Sequence, residues 1–137
     1  MEPEKQQLSV GSLVLADIRT GRYIGEISEF YGPRAVVKIL AVVRHPQQGD
    51  LHHPYDPDVP LFHERRALSY TEKSTVLLRD IEPFGGEVPD YSASLAEALD
   101  KQTEELAASL EGADDRYKRW IERSIDTLRV LRADYRL

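Results

Sequence analysis

The hydrophobic period changes once along this chain, and the change divides it in two. Up to about residue 82, apolar residues come in short runs rich in β-branched and aliphatic types. Past Pro83-Phe84-Gly85-Gly86-Glu87-Val88-Pro89 they recur every three or four positions. Strands in one block and helices in another read as an α+β chain.

In the first block, Leu13, Val14, Leu15 and Ile18 form one apolar run, and Thr20-Gly21 is a turn signal. Arg22 to Phe30 reads as a second strand, in which Gly25 marks a bulge or a close backbone approach. Tyr31-Gly32-Pro33 breaks the chain. Ala35 to Val43 is the strongest strand signal, with Val36, Val37, Ile39, Leu40, Val42 and Val43 partly buried on both faces. Arg66 to Tyr70 and Ser74 to Leu78 are further strand candidates. Five short strands with tight turns predict a small, strongly bent antiparallel sheet, or partly open barrel, of the SH3-like kind.

In the second block, Ser94 and Glu97 have the spacing of a capping box, and Leu95, Leu99, Leu106 and Leu110 share a helical face. Gly112 suits a helix stop. A second helix begins at Asp114 or Asp115, where a carboxylate meets the positive end of the dipole. Its stripe runs through Tyr117, Trp120, Ile121, Ser124, Ile125, Leu128, Leu131 and Tyr135. The short connection predicts an antiparallel helical hairpin. The expected units are a disordered leader (1–8), the SH3-like domain (9–84) with a long loop at 45–60, a linker (85–91) and the hairpin (92–137).

Composition removes several function classes. The chain has no cysteine, which excludes disulfides, thiolate metal sites, cysteine nucleophiles and lipid attachment at a cysteine. Eighteen basic residues face 24 acidic ones, a net charge of −6, and neither block is basic. Nucleic-acid binders show the opposite balance. Met1 to Gln7 lacks the apolar run of a signal peptide, and no stretch has the roughly 18 apolar residues of a membrane span. A cytoplasmic protein is expected, reaching a membrane only through a partner.

All four histidines fall between His45 and His63, among Asp50, Asp56, Asp58 and Glu64 and several prolines. Imidazole and carboxylate suit zinc, nickel or iron, so one reading is a metal- or small-molecule-binding loop. The other is a proline-rich loop pinned by histidine hydrogen bonds. There is no H-E-x-x-H, no G-x-S-x-G and no phosphate-binding glycine loop, so no catalytic residue is expected. Loops this long are often functional. Leu61 and Phe62 are either its core anchor or an exposed pair, and Arg65 and Arg66 suit carboxylates.

The stretches A-V-V-R-H-P-Q-Q-G-D-L-H-H-P (Ala41 to Pro54) and D-V-P-L-F-H-E-R-R-A-L (Asp58 to Leu68) closely resemble the kinase-associated protein B family of spore-forming bacilli, also called kinase-associated lipoprotein B. T-G-R-Y-I-G-E-I (Thr20 to Ile27) and G-E-V-P-D-Y (Gly86 to Tyr91) support the likeness, which extends from Val10 to Leu137. The resemblance implies a non-enzymatic accessory protein that promotes a membrane sensor histidine kinase in the phosphorelay to sporulation. It implies an antiparallel sheet with a helical part, and no catalytic residue, metal or cofactor.

The partner-binding surface is expected on the loop. His45, Pro46, Gly49, Asp50, Leu51 and His52 form its first half. Leu61, Phe62, His63, Glu64, Arg65 and Arg66 form its second. Gly49-Asp50 would turn the chain, the histidines would tie it down or present imidazoles, and the arginines would meet acidic groups. A homodimer through the helical stripe is the remaining arrangement.

Overall fold

Turn chemistry sets the register of the first three strands. In the computed structural model, which describes residues 8–137, β1 (Leu13–Ile18), β2 (Gly21–Tyr31) and β3 (Arg34–Arg44) run up and down. The β1–β2 turn places Arg19 at φ 55°, and the β2–β3 turn places Gly32 at φ 50°. The expected leader lies outside the described residues except for Leu8, which packs on the core. β4 (Lys73–Leu77) follows, then a 3₁₀ turn (Leu78–Asp80) and β5 (Ile81–Pro83). The sheet is antiparallel throughout, in the order β4-β3-β2-β1-β5.

That order forces curvature. Five strands laid flat span about 19 Å from edge to edge. The outer strands β4 and β5 are joined only by the 3₁₀ turn, and the four peptide links from Leu77 to Ile81 reach at most about 14 Å fully extended. The sheet therefore bends until its two edges approach, as in a partly open SH3-like barrel. Three register shifts between β2 and β3 supply the bend. Gly25 lies at one of them. A Cβ there would sit 2.3 Å from Val37 Cγ1 and 2.8 Å from the Lys38 carbonyl oxygen, so the close approach read from the sequence is real.

The fifth strand is not where the sequence placed it. Arg66 to Tyr70 is irregular, and Ile81–Pro83 takes the edge beside β1 instead. The reason is competition for backbone partners. Ala67 N–H donates to the Tyr135 hydroxyl (2.9 Å), Leu68 N–H donates to the Tyr23 hydroxyl (3.2 Å), and the Tyr91 hydroxyl donates to the Leu68 carbonyl. Side chains have replaced the ladder.

Helix α1 (Tyr91–Ala108) is capped by Asp90, whose carboxylate accepts from Ala93 N–H at 3.0 Å. The expected cap, Ser94, lies inside the helix and buried. Its hydroxyl donates to the Tyr91 carbonyl and accepts from Val42 N–H at 2.9 Å, fastening α1 to β3. Asp114 caps α2 (Asp115–Tyr135) through Tyr117 N–H. The α2 stripe is covered within the single chain: Trp120, Ile121, Ser124, Ile125, Leu128 and Leu131 are all buried. Leu128 and Leu131 join the sheet and α1 in the main core, while Trp120, Ile121 and Ile125 form a second cluster that Phe62 completes.

Replacing Gly25 by Ala should lower the free energy of unfolding by about 1–3 kcal/mol, the usual cost of overpacking. Urea titration measures this directly, and an unchanged midpoint would contradict the close approach of β2 and β3.

Candidate functional site

The segment from His45 to Leu68 has almost no regular structure, yet its two halves are held by a set of side-chain and backbone hydrogen bonds. Gln48 does the work of a strand residue with its side chain. Its Oε1 accepts from Arg65 N–H (2.8 Å), and its Nε2 donates to the Arg65 carbonyl (2.9 Å) and to the Pro46 carbonyl (3.0 Å). Gly49 N–H donates to the His63 carbonyl, and Arg65 Nε to the Gly49 carbonyl. The two halves of the loop are thereby zipped together. Gly49 has φ +96°, and a Cβ there would press on the Phe62 ring at 3.0 Å, so the turn needs glycine. Asp50 then holds the next turn, accepting from His52 N–H at 2.8 Å and meeting His53 Nδ1 at 3.2 Å. These contacts, the backbone one foremost, hold its carboxyl below the usual carboxylate range.

The tip of the loop is clamped to α2. Arg116 pairs with Asp56 and Arg119 with Asp58, and Arg123 donates to the Pro57 carbonyl. These arginines recur at three- and four-residue spacing on one face of the helix. Tyr55 meets Trp120 edge to face at 5.0 Å between ring centroids, and Arg123 lies over the Phe62 ring at 4.8 Å.

At the base of the loop sits His45, only 1% exposed. Its hydrogen bonds fix its tautomer. Nδ1 faces the Pro46 carbonyl at 3.0 Å, which can only accept, so Nδ1 carries the proton. Nε2 faces the Tyr135 hydroxyl at 2.9 Å. That hydroxyl already accepts from Ala67 N–H, so its own proton goes to Nε2. A neutral imidazole is fully satisfied, and burial pushes its pKa down to about 4. Burial also pushes the Tyr91 phenol up to about 12 and raises Tyr23 and Tyr135.

The expected surface residues therefore divide. His45, Pro46 and Gly49 are buried. Asp50, Arg65 and Phe62 hold the loop's shape, and Leu51 is half-buried. Arg66 meets Asp134 at 3.0 Å and lies over the Tyr135 ring. His52, Leu61, His63 and Glu64 face solvent, Leu61 at 60% exposure. Among the described residues no three histidine, aspartate or glutamate side chains come together as a ligand set for a metal ion. The histidines diverge: one is buried against Tyr135, one sits on Asp50 and two point outward.

Three framework residues escaped the sequence reading. Gln48 stands in the Q-Q-G stretch with no chemical signature of its own. Tyr135 reads as part of the apolar stripe and Tyr23 as a strand residue, and only their hydroxyls hint that a buried tyrosine also seeks a polar partner.

Comparison with known proteins places this architecture. The family model for "Kinase associated protein B" matches residues 18–136. Kinase-associated lipoprotein B of Bacillus subtilis (strain 168) is 43% identical over 125 residues, covering 91% of this chain and 92% of that protein. This chain belongs to the kinase-associated protein B family. The crystal structure of kinase-associated protein B from Bacillus cereus shares the fold, with a TM-score of 0.74 and 33% identity, covering 96% of this chain and all of that one. The two stretches that carried the resemblance to the kinase-associated protein B family are the two halves of the zipped loop. Among the described residues no helix is long and apolar enough to cross a membrane.

Two measurements test the loop's framework. The folded state resists protonating His45, so between pH 6.5 and about 4 the unfolded chain binds more protons. Stability is then complete above pH 6.5 and falls with decreasing pH, by about 3 kcal/mol for this group. Thermal melts should show the fall in the wild type and a shallower one in His45→Gln. Tyr135→Phe leaves Ala67 N–H and His45 Nε2 without their shared partner, and chemical denaturation should register a loss of about 2–4 kcal/mol.

Proposed function

We propose that this protein is a non-enzymatic accessory factor that binds a membrane sensor histidine kinase and promotes its activity in the phosphorelay to sporulation. Membership of the kinase-associated protein B family supports the kinase. The observation that carries the docking role is the contrast within the loop. Its backbone is held rigid by Gln48, Asp50 and the α2 arginines, yet Leu61 remains 60% exposed beside His63 and Glu64. An apolar side chain held outward on a pinned loop loses little entropy on binding. His52, Leu61, His63 and Glu64 form the outward edge of this surface, and the remaining loop residues shape it.

The chain carries no cysteine for a lipid anchor, so on this reading it meets the membrane through the kinase. The site sits in the cytoplasm with the kinase's catalytic portion.

The test is an autophosphorylation assay with purified cytoplasmic portions of sensor histidine kinases from a spore-forming bacillus. Adding the wild-type protein should raise phosphate incorporation by at least one of them. Leu61→Asp should weaken the effect several-fold with a nearly unchanged melting temperature, since the side chain is 60% exposed. No complex and no stimulation with any of these kinases would overturn the reading.

A further inference from the structure

A groove of about 680 Å³ opens between the β1–β2 turn, the end of β3, one side of α1 and the start of α2 at Tyr117 and Trp120. The loop forms another of its walls, through His45 and Gln47, and Tyr55 closes one end. Its volume lies within the range of ligand-binding clefts, and it is half open rather than enclosed, the shape of a site for a chain segment.

The groove's charge runs against that of the molecule. The protein carries −6 overall, yet Arg19, Arg22, Arg44 and Lys101 all line this one feature, against a single carboxylate, Glu105. Arg22 is neutralised by Asp17 at 3.4 Å and by Glu82. Arg44 approaches Asp17 only at 3.9 Å and stays largely exposed. Arg19 and Lys101 have no ion-pair partner among the described residues. Arg19 is fixed at the tip of a tight turn with φ 55°, and Lys101 projects from α1. Cations on separate elements thus converge on one opening from a sequence that shows no basic run.

The lining between them is apolar. Val43 is 41% exposed at the end of β3, and Ala98 and Leu106 line the groove with it. Gln102 also lines it. Its Nε2 reaches the Pro46 carbonyl at 3.3 Å.

We propose that this groove receives an acidic segment of the kinase partner. Carboxylates of the segment meet Arg19, Lys101 and Arg44. An apolar side chain covers Val43 and Leu106. The inference rests on the kinase association proposed above and adds to it a second contact, separate from the outward edge at Leu61. Electrostatic complementarity of this kind acts mainly through the rate of encounter and the choice of partner.

The experiment measures binding of a fluorescently labelled kinase cytoplasmic portion to three proteins at low and high salt: wild type, Arg19→Glu/Lys101→Glu, and Leu61→Asp. Neither Arg19 nor Lys101 makes an ion pair that the fold needs, and melting temperatures verify that the double variant is intact. The expected result is wild-type binding that weakens with salt, and a double variant about tenfold weaker at low salt with a flatter salt dependence. A double variant that binds as tightly as wild type overturns the groove while leaving the kinase association standing. Wild-type protein that binds no kinase overturns both. Competition by inorganic phosphate or ATP, with a matching rise in melting temperature, also overturns the proposal, because the groove would then hold a small anion.

Discussion

One hydroxyl group ties this molecule together. The Tyr135 oxygen, in the last turn of α2, accepts from the Ala67 backbone and donates to His45, partners 68 and 90 residues away in sequence. It thereby joins the start of the long loop, the end of that loop and the C-terminal helix at a single atom. The arrangement requires a neutral imidazole, because the Pro46 carbonyl takes the Nδ1 proton and leaves Nε2 as the acceptor. Burial enforces that state by keeping the His45 pKa near 4. Geometry and protonation support each other, and neither the loop nor the end of α2 reaches its position without the other.

This hub explains why a loop of this length remains ordered without a sheet ladder. Three tyrosines, from β2, α1 and α2, supply the partners that a neighbouring strand would supply to Ala67 and Leu68. Gln48 does the same for Arg65 with its two amide atoms. Buried backbone groups must be paired, and here tertiary contacts pair them. The segment has become irregular while Arg65, Ala67 and Leu68 keep partners for their backbone groups.

That substitution also marks the boundary of what the sequence could disclose. Periodicity located β1, β2, β3, β4 and both helices, and Gly25 announced the close approach that its geometry demands. The start of α2 at Asp114 or Asp115 and the α2 stripe followed from local chemistry. The error at Arg66 to Tyr70 has a specific cause: its composition suits a strand, but tyrosine hydroxyls from distant elements reach its backbone first. Ile81–Pro83 is too short to show a period, and its place beside β1 follows from the curl of the sheet. The Ser94 signature pointed to a real hydrogen-bonding serine with the wrong role, since it accepts from Val42 N–H on β3 and donates to the Tyr91 carbonyl, and caps no N–H of the first turn. At the loop, residue types were legible and directions were not. Histidine and aspartate in one segment look like ligands until their bonds are drawn, and then each proves to serve the loop or to point away.

On the proposed reading, the division of labour within the loop bears on how an accessory protein engages its partner. A binding surface made of flexible chain surrenders conformational freedom when it docks, and that cost weakens the complex. In this protein folding has already met it. Asp56 and Asp58 bind the α2 arginines, Trp120 and Tyr117 receive Tyr55, and the loop's interior carbonyls and amides are closed among themselves. The acidic tip that a cationic partner would otherwise seek is neutralised by the protein's own helix. What remains outside is a narrow edge around Leu61 and, across the loop, the groove with its unmatched cations. The two differ in chemistry, one apolar and presented outward, the other positive and recessed. On the proposed reading, a partner must satisfy both at a separation the rigid loop fixes. Selectivity then comes from the spacing of two modest contacts and not from the strength of either.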